Sequence, residues 1–344
     1  MARGPRQADI ARIAGVSQAT VSVVLGGNRA GVRLAESTRR RVRAAAEELG
    51  YVPDPVATRL ASSRNNLLGL YTFTATFPTD VADSYYPILV GVEEEAAELG
   101  QDLILFTGSS AGTRTHDHAR IRRTRLADGC LFLGRHVPDE PIRELVTSGF
   151  PVVYIGRREE LGGTIPYVGA DYVSASAAVI GRLAEAGHTS IRYLREDDDA
   201  PSSRDRERGV LEGAAAHRVD IGVERFAGGR LPCPRRWTAD GVTAVVVEET
   251  DTGAVFHAVT RAVAGAGLSV PQDLSLAVLG RPPAGTTGPV VSGFEVPRRE
   301  MGRGAVRLLA ALVEPDRRAP AEPHRLLPCA PVAGDTIRRI REEA

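Results

Sequence analysis

The sequence predicts a small all-α head followed by a larger two-lobed α/β body, and three observations carry that expectation. Residues 1–65 hold eleven arginines against five acids while the rest of the chain holds 32 against 38, so a net charge of zero divides into +6 and −6. The first part contains short helical periodicities broken by glycine, and the remainder alternates apolar runs with amphipathic stretches. The 344 residues suit two or three globular units at roughly 100–200 residues per domain. A composition of 43% hydrophobic and 25% charged residues is that of a globular protein. No apolar run approaches the roughly 20 residues of a membrane span, which excludes a membrane protein. Cys130, Cys233 and Cys329 form no CxxC pair, so neither a disulfide framework nor a zinc ribbon is expected, and a reducing cytoplasm fits. The first thirty residues carry Arg3, Arg6, Asp9, Arg12 and Arg29 without the roughly 7–15-residue apolar stretch of a secretory signal, so export is not expected. All 43 basic residues are arginine, which reads as a codon-composition effect.

In the head, Ile10, Ala11, Ile13 and Ala14 have helical spacing, and Gly15 stands where a left-handed residue stops a helix. Ser17 can cap a second helix with Thr20, Val21 and Val24 on one face and Gln18, Ala19, Ser22 and Val23 on the other. One face packs and the other is free. That describes either an ordinary helical hairpin or a helix-turn-helix whose second helix enters a major groove. A third helix, "STRRRVRAAAEELGYVP", places Val42, Ala45, Ala46 and Leu49 on one stripe, with Arg39, Arg40, Arg41 and Arg43 mostly elsewhere, and Gly50 ends it. Three helices and a +6 balance suit phosphate contact, which favours the second description. In "YVPDPVATRLASSRNN", Asp54 can cap and Pro55 suits the first position of one or two helical turns over Val56–Ala61. On so short a helix Leu60 is a surplus apolar residue unless it packs against a partner or wedges between base pairs.

These residues carry a resemblance. "DIARIAGVSQATVSVVLGG", then "STRRRVRAAAEELGYVP", then "PVATRLASSRNNLLGL" resemble, in order and spacing, the lactose/galactose repressor family of bacterial transcription regulators. The resemblance implies a lambda-repressor-like helix-turn-helix domain over 1–53 and a hinge helix and linker over 54–66. It also implies a periplasmic-binding-protein-like core over 67–344. Carried over by position, Ser17, Gln18, Ala19, Thr20 and Ser22 make the phosphate and base-edge contacts, and Leu60 enters the central minor groove. Val23 stands where arginine is most frequent and Ala35 where a serine often caps the third helix. With Ala19 and Val23 both apolar, thymine-methyl contacts are expected there rather than bidentate guanine readout.

In the body, "LLGLYTF", a helix near Pro87–Leu99, "DLILF", a helix near Arg114–Leu126, "GCLFLG", a helix near Glu140–Ser148 and "PVVYIG" form one strand-helix series. The pattern restarts at "YVGADYVSASAAVIGRLAEAGHTSIRYL" and runs through "GVTAVVVEET", a helix at Asp251–Gly265 and "LSLAVLG". Two parallel-sheet lobes follow, with a small-molecule site beyond the carboxyl ends of their strands. The resemblance implies three crossings between lobes. Lobe 1 is then about 67–166 and 293–320, and lobe 2 about 167–292 and 321–344.

The resemblance implies as effector-binding residues Tyr85 and Tyr86, at the start of the first body helix where the family often presents aromatics. It also implies Arg206, because "SSRDRERGVLEG" resembles the family stretch whose arginine, three residues before a glycine (here Gly209), binds the ligand; an arginine fork suits hydroxyl or carboxylate oxygens. By the same resemblance Asp171, matching the family aspartate near the crossover and followed by Tyr172 where asparagine is usual, Glu249 and Arg281 complete the set. The chain departs from the family in having Glu249-Thr250 for an Asn-Asp pair, and Gly280-Arg281 then Pro282-Pro283 where an Asp pair is typical. Arginine in place of an acceptor suits an anionic effector better than a neutral sugar; the other possibility is a cleft without effector response.

His116, Asp117 and His118 look metal-like, but adjacent helical residues point apart and no third ligand is evident, so no metal or cofactor is expected. Asp197–Asp199 reads as a solvated loop, since the glycine and glutamate of a calcium loop are missing. Trp237 either lines the cleft or packs. No GxxxxGK[ST] or HExxH occurs, and no convergent acid-base set is visible, so an enzyme is not expected. A solute-binding protein built on the same core is the alternative, and it leaves the basic head unexplained. The resemblance implies a cytoplasmic homodimeric repressor. Its two heads read a near-palindromic duplex operator, and a sugar or related metabolite between the lobes tunes that affinity.

Overall fold

The computed structural model describes residues 5–25, 34–51, 64–73, 85–106, 121–135, 139–229, 231–250, 252–314 and 321–340. The chain divides into two compact units, Met1–Leu67 and Leu68–Ala344. The expected hinge helix with Leu60, most of the helix near Arg114–Leu126 and the His116–His118 group lie outside the described residues.

The first unit contains α1 (Gln7–Ala14), α2 (Gln18–Leu25) and α3 (Glu36–Glu48). The Arg6 backbone N–H donates to Asp9 Oδ2 at 2.9 Å, satisfying a donor at the start of α1. Gly15 adopts φ 63° and closes the helix by donating to Ala11 O, which frees the chain to turn. The axes of α1 and α2 differ by 105°, within the roughly 90–120° of a helix-turn-helix pair. Ile10, Ala14, Val21, Val42, Ala45 and Ala46 close over one another as a small core. Ile13, expected on the same stripe, is 41% exposed. At about 100° per residue the buried side runs through Ile10, Ala14 and Ala11, and Ile13 falls on the flank that α2 and α3 leave uncovered. No single helix among the described residues is long and apolar enough to cross a membrane.

The second unit carries two six-stranded sheets. The first is built from β1 (Leu67–Thr72), β2 (Asp102–Phe106), β3 (Gly129–Leu133), β4 (Val152–Ile155), β5 (Tyr167–Ala170) and β11 (His324–Leu327), in the order β11-β5-β4-β3-β1-β2. The second is built from β6 (Ser190–Glu196), β7 (Asp220–Phe226), β8 (Ala244–Glu248), β9 (Ser275–Leu279), β10 (Ser292–Glu295) and β12 (Ala330–Val332), in the order β12-β10-β9-β8-β6-β7. Strands β3, β8 and β9 are buried along their whole length, which is why they read as unbroken apolar runs and pair in parallel with covered faces. The helices between them are α4 (Tyr86–Glu98), α5 (Asp139–Thr147), α6 (Tyr172–Glu185), α7 (Pro201–His217), α8 (Pro234–Ala239), α9 (Ala254–Gly265) and α10 (Arg298–Val313).

The lobe boundaries shift from those expected. Tyr167–Ala170 belongs to the first sheet, with Tyr154 opposite Tyr167, so the passage to the second lobe falls at Asp171 rather than after 166. Ser292–Glu295 stays in the second sheet beside β9, and the chain returns only with α10, which packs on β3, β4 and β5. β11 pairs with β5 in the first lobe, and the final passage follows Leu327, not residue 320. A strand at a crossover extends whichever sheet its neighbour offers, and sequence periodicity does not identify that neighbour.

Helix α10 lies against α4 at backbone contact distance. A Cβ on Gly91 would stand 2.0 Å from Arg299 O, and one on Gly302 would stand 2.4 Å from Ile88 O. Gly91→Ala is therefore expected to force the helices apart and cost about 1–3 kcal/mol, as overpacking does, measured as a lowered urea midpoint of the body. An unchanged midpoint would show that the contact yields without strain.

Candidate functional site

In the first unit, Ser17 precedes α2 and its Oγ accepts the Thr20 N–H at 3.1 Å while also meeting Thr20 Oγ1 at 2.9 Å. This cap fixes the start of α2. Beyond it Gln18, Ala19 and Ser22 are exposed on one face, Thr20 and Val23 are half-buried, and Val21 is buried against α1 and α3. An exposed amide, a methyl and a hydroxyl thus project from a helix anchored by its opposite face. Arg40, Arg41 and Arg43 stand exposed on α3 and Arg39 is half-buried. This chemistry can meet phosphate oxygens through the arginines and base edges through the amide and hydroxyl.

In the second unit, the carboxyl ends of both sheets open onto a cavity of about 120 Å³. From the first lobe come Gly134 and Arg135 after β3, and Arg157 and Arg158 after β4. From the second come Glu248 and Glu249 at the end of β8, and Ser202, Asp205 and Arg206 in the first turns of α7. Tyr85, Tyr154 and Tyr172 add aromatic walls.

Among the described residues, three first-lobe arginines reach second-lobe carboxylates across this space. Arg157 grips Asp205 with both arms, Nε to Oδ2 at 2.6 Å and Nη2 to Oδ1 at 2.5 Å. Arg135 Nη2 lies 2.8 Å from Asp198 Oδ2, and Arg298 Nη2 donates to Glu249 Oε2 at 2.6 Å. Arg158 crosses the Tyr154 ring at 4.3 Å and donates to Arg135 O at 2.7 Å, stiffening the rim.

Arg206 sits at the base. Its Nε donates to Leu279 O at 2.9 Å, its Cζ lies 4.0 Å over the Tyr172 ring, and Nη2 is 3.5 Å from Glu249 Oε2. Burial opposes its charge, but Tyr172, Glu248 and Glu249 outweigh that, so the guanidinium is held above its usual pKa. Gly209 allows this placement, because a Cβ there would stand 2.2 Å from Val173 O and push α7 off α6. Glu248 is 2% exposed and burial raises its carboxyl pKa; Ser203 Oγ–H donates to its Oε1. Cys329, on the last passage between lobes, has its thiol pushed up to about 11 by burial.

The structure brings together Tyr85, Arg206 and Glu249 of the expected effector residues and leaves three out. Tyr86 is 40% exposed and Asp171 caps α6, accepting the Ser174 N–H at 3.0 Å, so neither lines the cavity. Arg281, expected among the effector residues, does not line the cavity. Gly280 turns the chain at φ 138°, and Arg281 emerges on the surface, where it pairs with Glu295. A Cβ on Gly280 would stand 2.2 Å from Glu249 Oε2, so the missing side chain at 280 makes the room that the Glu249 carboxylate fills. Trp237 packs in the second-lobe core at 3% exposure. The Asp197–Asp199 run is tied to arginines rather than merely solvated: Asp198 to Arg135, and Asp199 to Arg225 at 2.8 Å and to the wholly buried Arg195 at 3.1 Å. Among the described residues no group of three His, Cys, Asp or Glu is placed to hold a metal.

Sequence reasoning passed over Arg157, Arg158, Asp205, Glu248 and Arg298. Arg157 and Arg158 come one glycine after a buried strand, and Glu248 ends the apolar run "AVVVE", so the rule that ligands meet strand ends marks all three. Arg298 carries no such mark, because only the return of the chain to the first lobe delivers it.

Comparison with known proteins agrees with both halves of this description. Residues 8–54 match the bacterial regulatory proteins of the lacI family, and residues 180–337 match the periplasmic binding protein-like domain. The chain is 30% identical to the HTH-type transcriptional regulator PtxS of Pseudomonas putida, over 79% of this chain and 78% of that one. It is 28% identical to the HTH-type transcriptional regulator CelR of Thermobifida fusca, over 89% of this chain and 91% of that one. Among solved structures, a CelR–cellobiose complex covers 96% of this chain and 99% of its own, with TM-score 0.64 and 25% identity. The lac repressor dimer bound to operator and an anti-inducer shares the fold with TM-score 0.71 over 98% of this chain and 100% of its own, at 19% identity.

Proposed function

The chain belongs to the lacI family of bacterial regulatory proteins, and we propose that it is a sequence-specific DNA-binding repressor whose operator affinity is set by a small polyhydroxylated metabolite bound between the lobes. It is a transcription regulator and not an enzyme. The observation that carries this reading is the exposed Gln18, Ala19 and Ser22 face of a capped second helix, on a unit whose sequence is net basic. The chain acts in the cytoplasm as a homodimer, so two heads meet the half-sites of a near-palindromic duplex. Residues 1–53 form the reading head, 54–66 the hinge and linker, and Leu60 the apolar wedge at the operator centre. Ser17, Gln18, Thr20 and Ser22 contact phosphates and base edges, while Ala19 and Val23 meet thymine methyls.

The cleft supplies the control. Both sheets aim their strand ends at it, and the lobes are joined by ion pairs, so a ligand that binds one lobe angle better biases that angle. A change in lobe angle alters the spacing at which the two hinges leave the bodies, which makes effector and operator affinities reciprocal. If each head neutralises about three phosphates, the dimer releases about six counterions, and log K against log salt falls with a slope near −5. Fluorescence-anisotropy titration of a labelled operator between low and physiological salt measures it. A slope near zero would remove the arginine-rich head from the contact.

A further inference from the structure

We infer that the second lobe carries a ligand site of its own, an apolar pocket between α9 and the loop after β9, and that it takes a small, uncharged, carbon-rich molecule with one hydroxyl at its outer end. The pocket shares no lining residue with the cleft, so the inference does not depend on what the cleft binds.

Beneath α9 lies a cavity of about 410 Å³, against about 120 Å³ between the lobes. It reaches the amino ends of β8 and β9 at Val245 and Leu276, whereas the cleft takes the carboxyl end of β8. Phe256, Val259 and Val263 of α9 form one wall, and Leu268 and Val270, on the way to β9, form a second. Pro289 and Val291 close the side of the loop, whose residues 284–290 are exposed. Protein interiors hold few voids larger than a water molecule, yet this one abuts the second-lobe core to which Phe256, Val263 and Leu276 belong. Apolar wall left against water is unfavourable in proportion to its area, and a carbon-rich occupant removes that cost.

The lining decides the chemistry. Among its described residues there is no arginine, aspartate or glutamate, in contrast to the cleft. Its inner hydroxyls are already used. Thr260 Oγ1 donates to Phe256 O at 2.9 Å, and Thr286 Oγ1 donates to Pro283 O at 2.6 Å. Thr336 Oγ1 donates to Leu276 O at 2.6 Å and accepts the Ser292 N–H at 2.9 Å. A charged or polyhydroxylated molecule would give up its water here for too few partners, and that loss is uncompensated. Polar side chains face solvent at the mouth, where His257 and Thr287 are exposed. The His257 ring stands edge-on to Phe256 with centroids 6.0 Å apart, and an imidazole there can exchange one hydrogen bond with a hydroxyl. An apolar cavity of about 150 Å³ holds one benzene, so a molecule of about two fused rings fits this one.

The test is isothermal titration of the full-length protein with 2-naphthol, which has two fused rings and one hydroxyl, beside 2-naphthoate as its charged counterpart. 2-Naphthol is expected to bind once per protomer, and 2-naphthoate at least tenfold more weakly. Thr260→Phe and Ala264→Phe each fill the pocket from α9 and should each weaken 2-naphthol at least tenfold. Thr260→Ala, which fills nothing, should stay within twofold of the unaltered protein. Melting temperature reports on the fold of every variant, and the second filling keeps the test decisive where the first does not fold. The proposal is overturned if 2-naphthol does not bind, if 2-naphthoate binds as tightly, or if a folded filling variant keeps the unaltered affinity. It is equally overturned if 2-naphthol is expelled as the protein concentration is raised, because a second copy of the chain would then be the occupant of the pocket.

Discussion

Removal of residues 1–66 is expected to abolish sequence-selective retention on duplex DNA while leaving the body folded and able to bind its effector. The body from Leu68 is a compact unit of its own, with both sheets and their cores inside it. The head also carries the favourable electrostatics, because the remaining sequence has a net charge of about −6 and is repelled by phosphate. Specific operators are held about 10³–10⁷-fold more tightly than random duplex by proteins of this kind, and that whole ratio should collapse. A gel-shift competition at fixed salt between a selected operator and a scrambled duplex reads it directly. The complementary point change is Gln18→Ala, which removes the exposed amide from α2 without touching the Ser17 cap. It should cost about 1–3 kcal/mol at one base pair of each half-site and leave the salt slope unaltered. A truncated body that still prefers the operator would move recognition out of the head altogether.

The head was readable because its signals are local. Gly15 at a positive φ, Ser17 as a cap and the Val42, Ala45, Ala46 stripe each act within a turn or two of helix, and each stands where the sequence placed it. The body was readable as strand and helix but less so as lobes, because the sheet to which Tyr167–Ala170 or Ser292–Glu295 belongs is decided by partners far along the chain. The site shows the same division. Arg206 was marked by the resemblance, through its place before Gly209, where the absence of a side chain has a packing cause. Arg281 was misplaced because a position in a sequence pattern does not say which way a side chain leaves a glycine turn. Arg157 and Asp205 are 48 residues apart and in different lobes, so their two-armed contact has no sequence signature.

That contact should carry the largest single-residue effect in the body. Arg157 is 10% exposed and Asp205 3%, so neither charge is well solvated, and each is the other's two-armed partner. Arg157→Ala leaves buried Asp205 only the longer contact to Arg208 at 3.4 Å, and Asp205→Ala leaves Arg157 only the exposed Glu159, and breaking such a buried pair typically costs about 3–5 kcal/mol. Replacing both at once, Arg157→Met with Asp205→Leu, removes the charge as well as the bond and should recover most of the loss. Trp237, the only tryptophan, is buried in the second-lobe core and reports unfolding of that lobe by fluorescence in urea. Because the pair spans the lobes, the single variants should also open the cleft, seen as a larger radius of gyration by small-angle X-ray scattering. Arg135–Asp198 and Arg298–Glu249 still join the lobes, so the opening should be partial. If the double variant were as unstable as either single one, the two side chains would not act as a unit. The latch between the lobes would then have to be sought in the other two pairs.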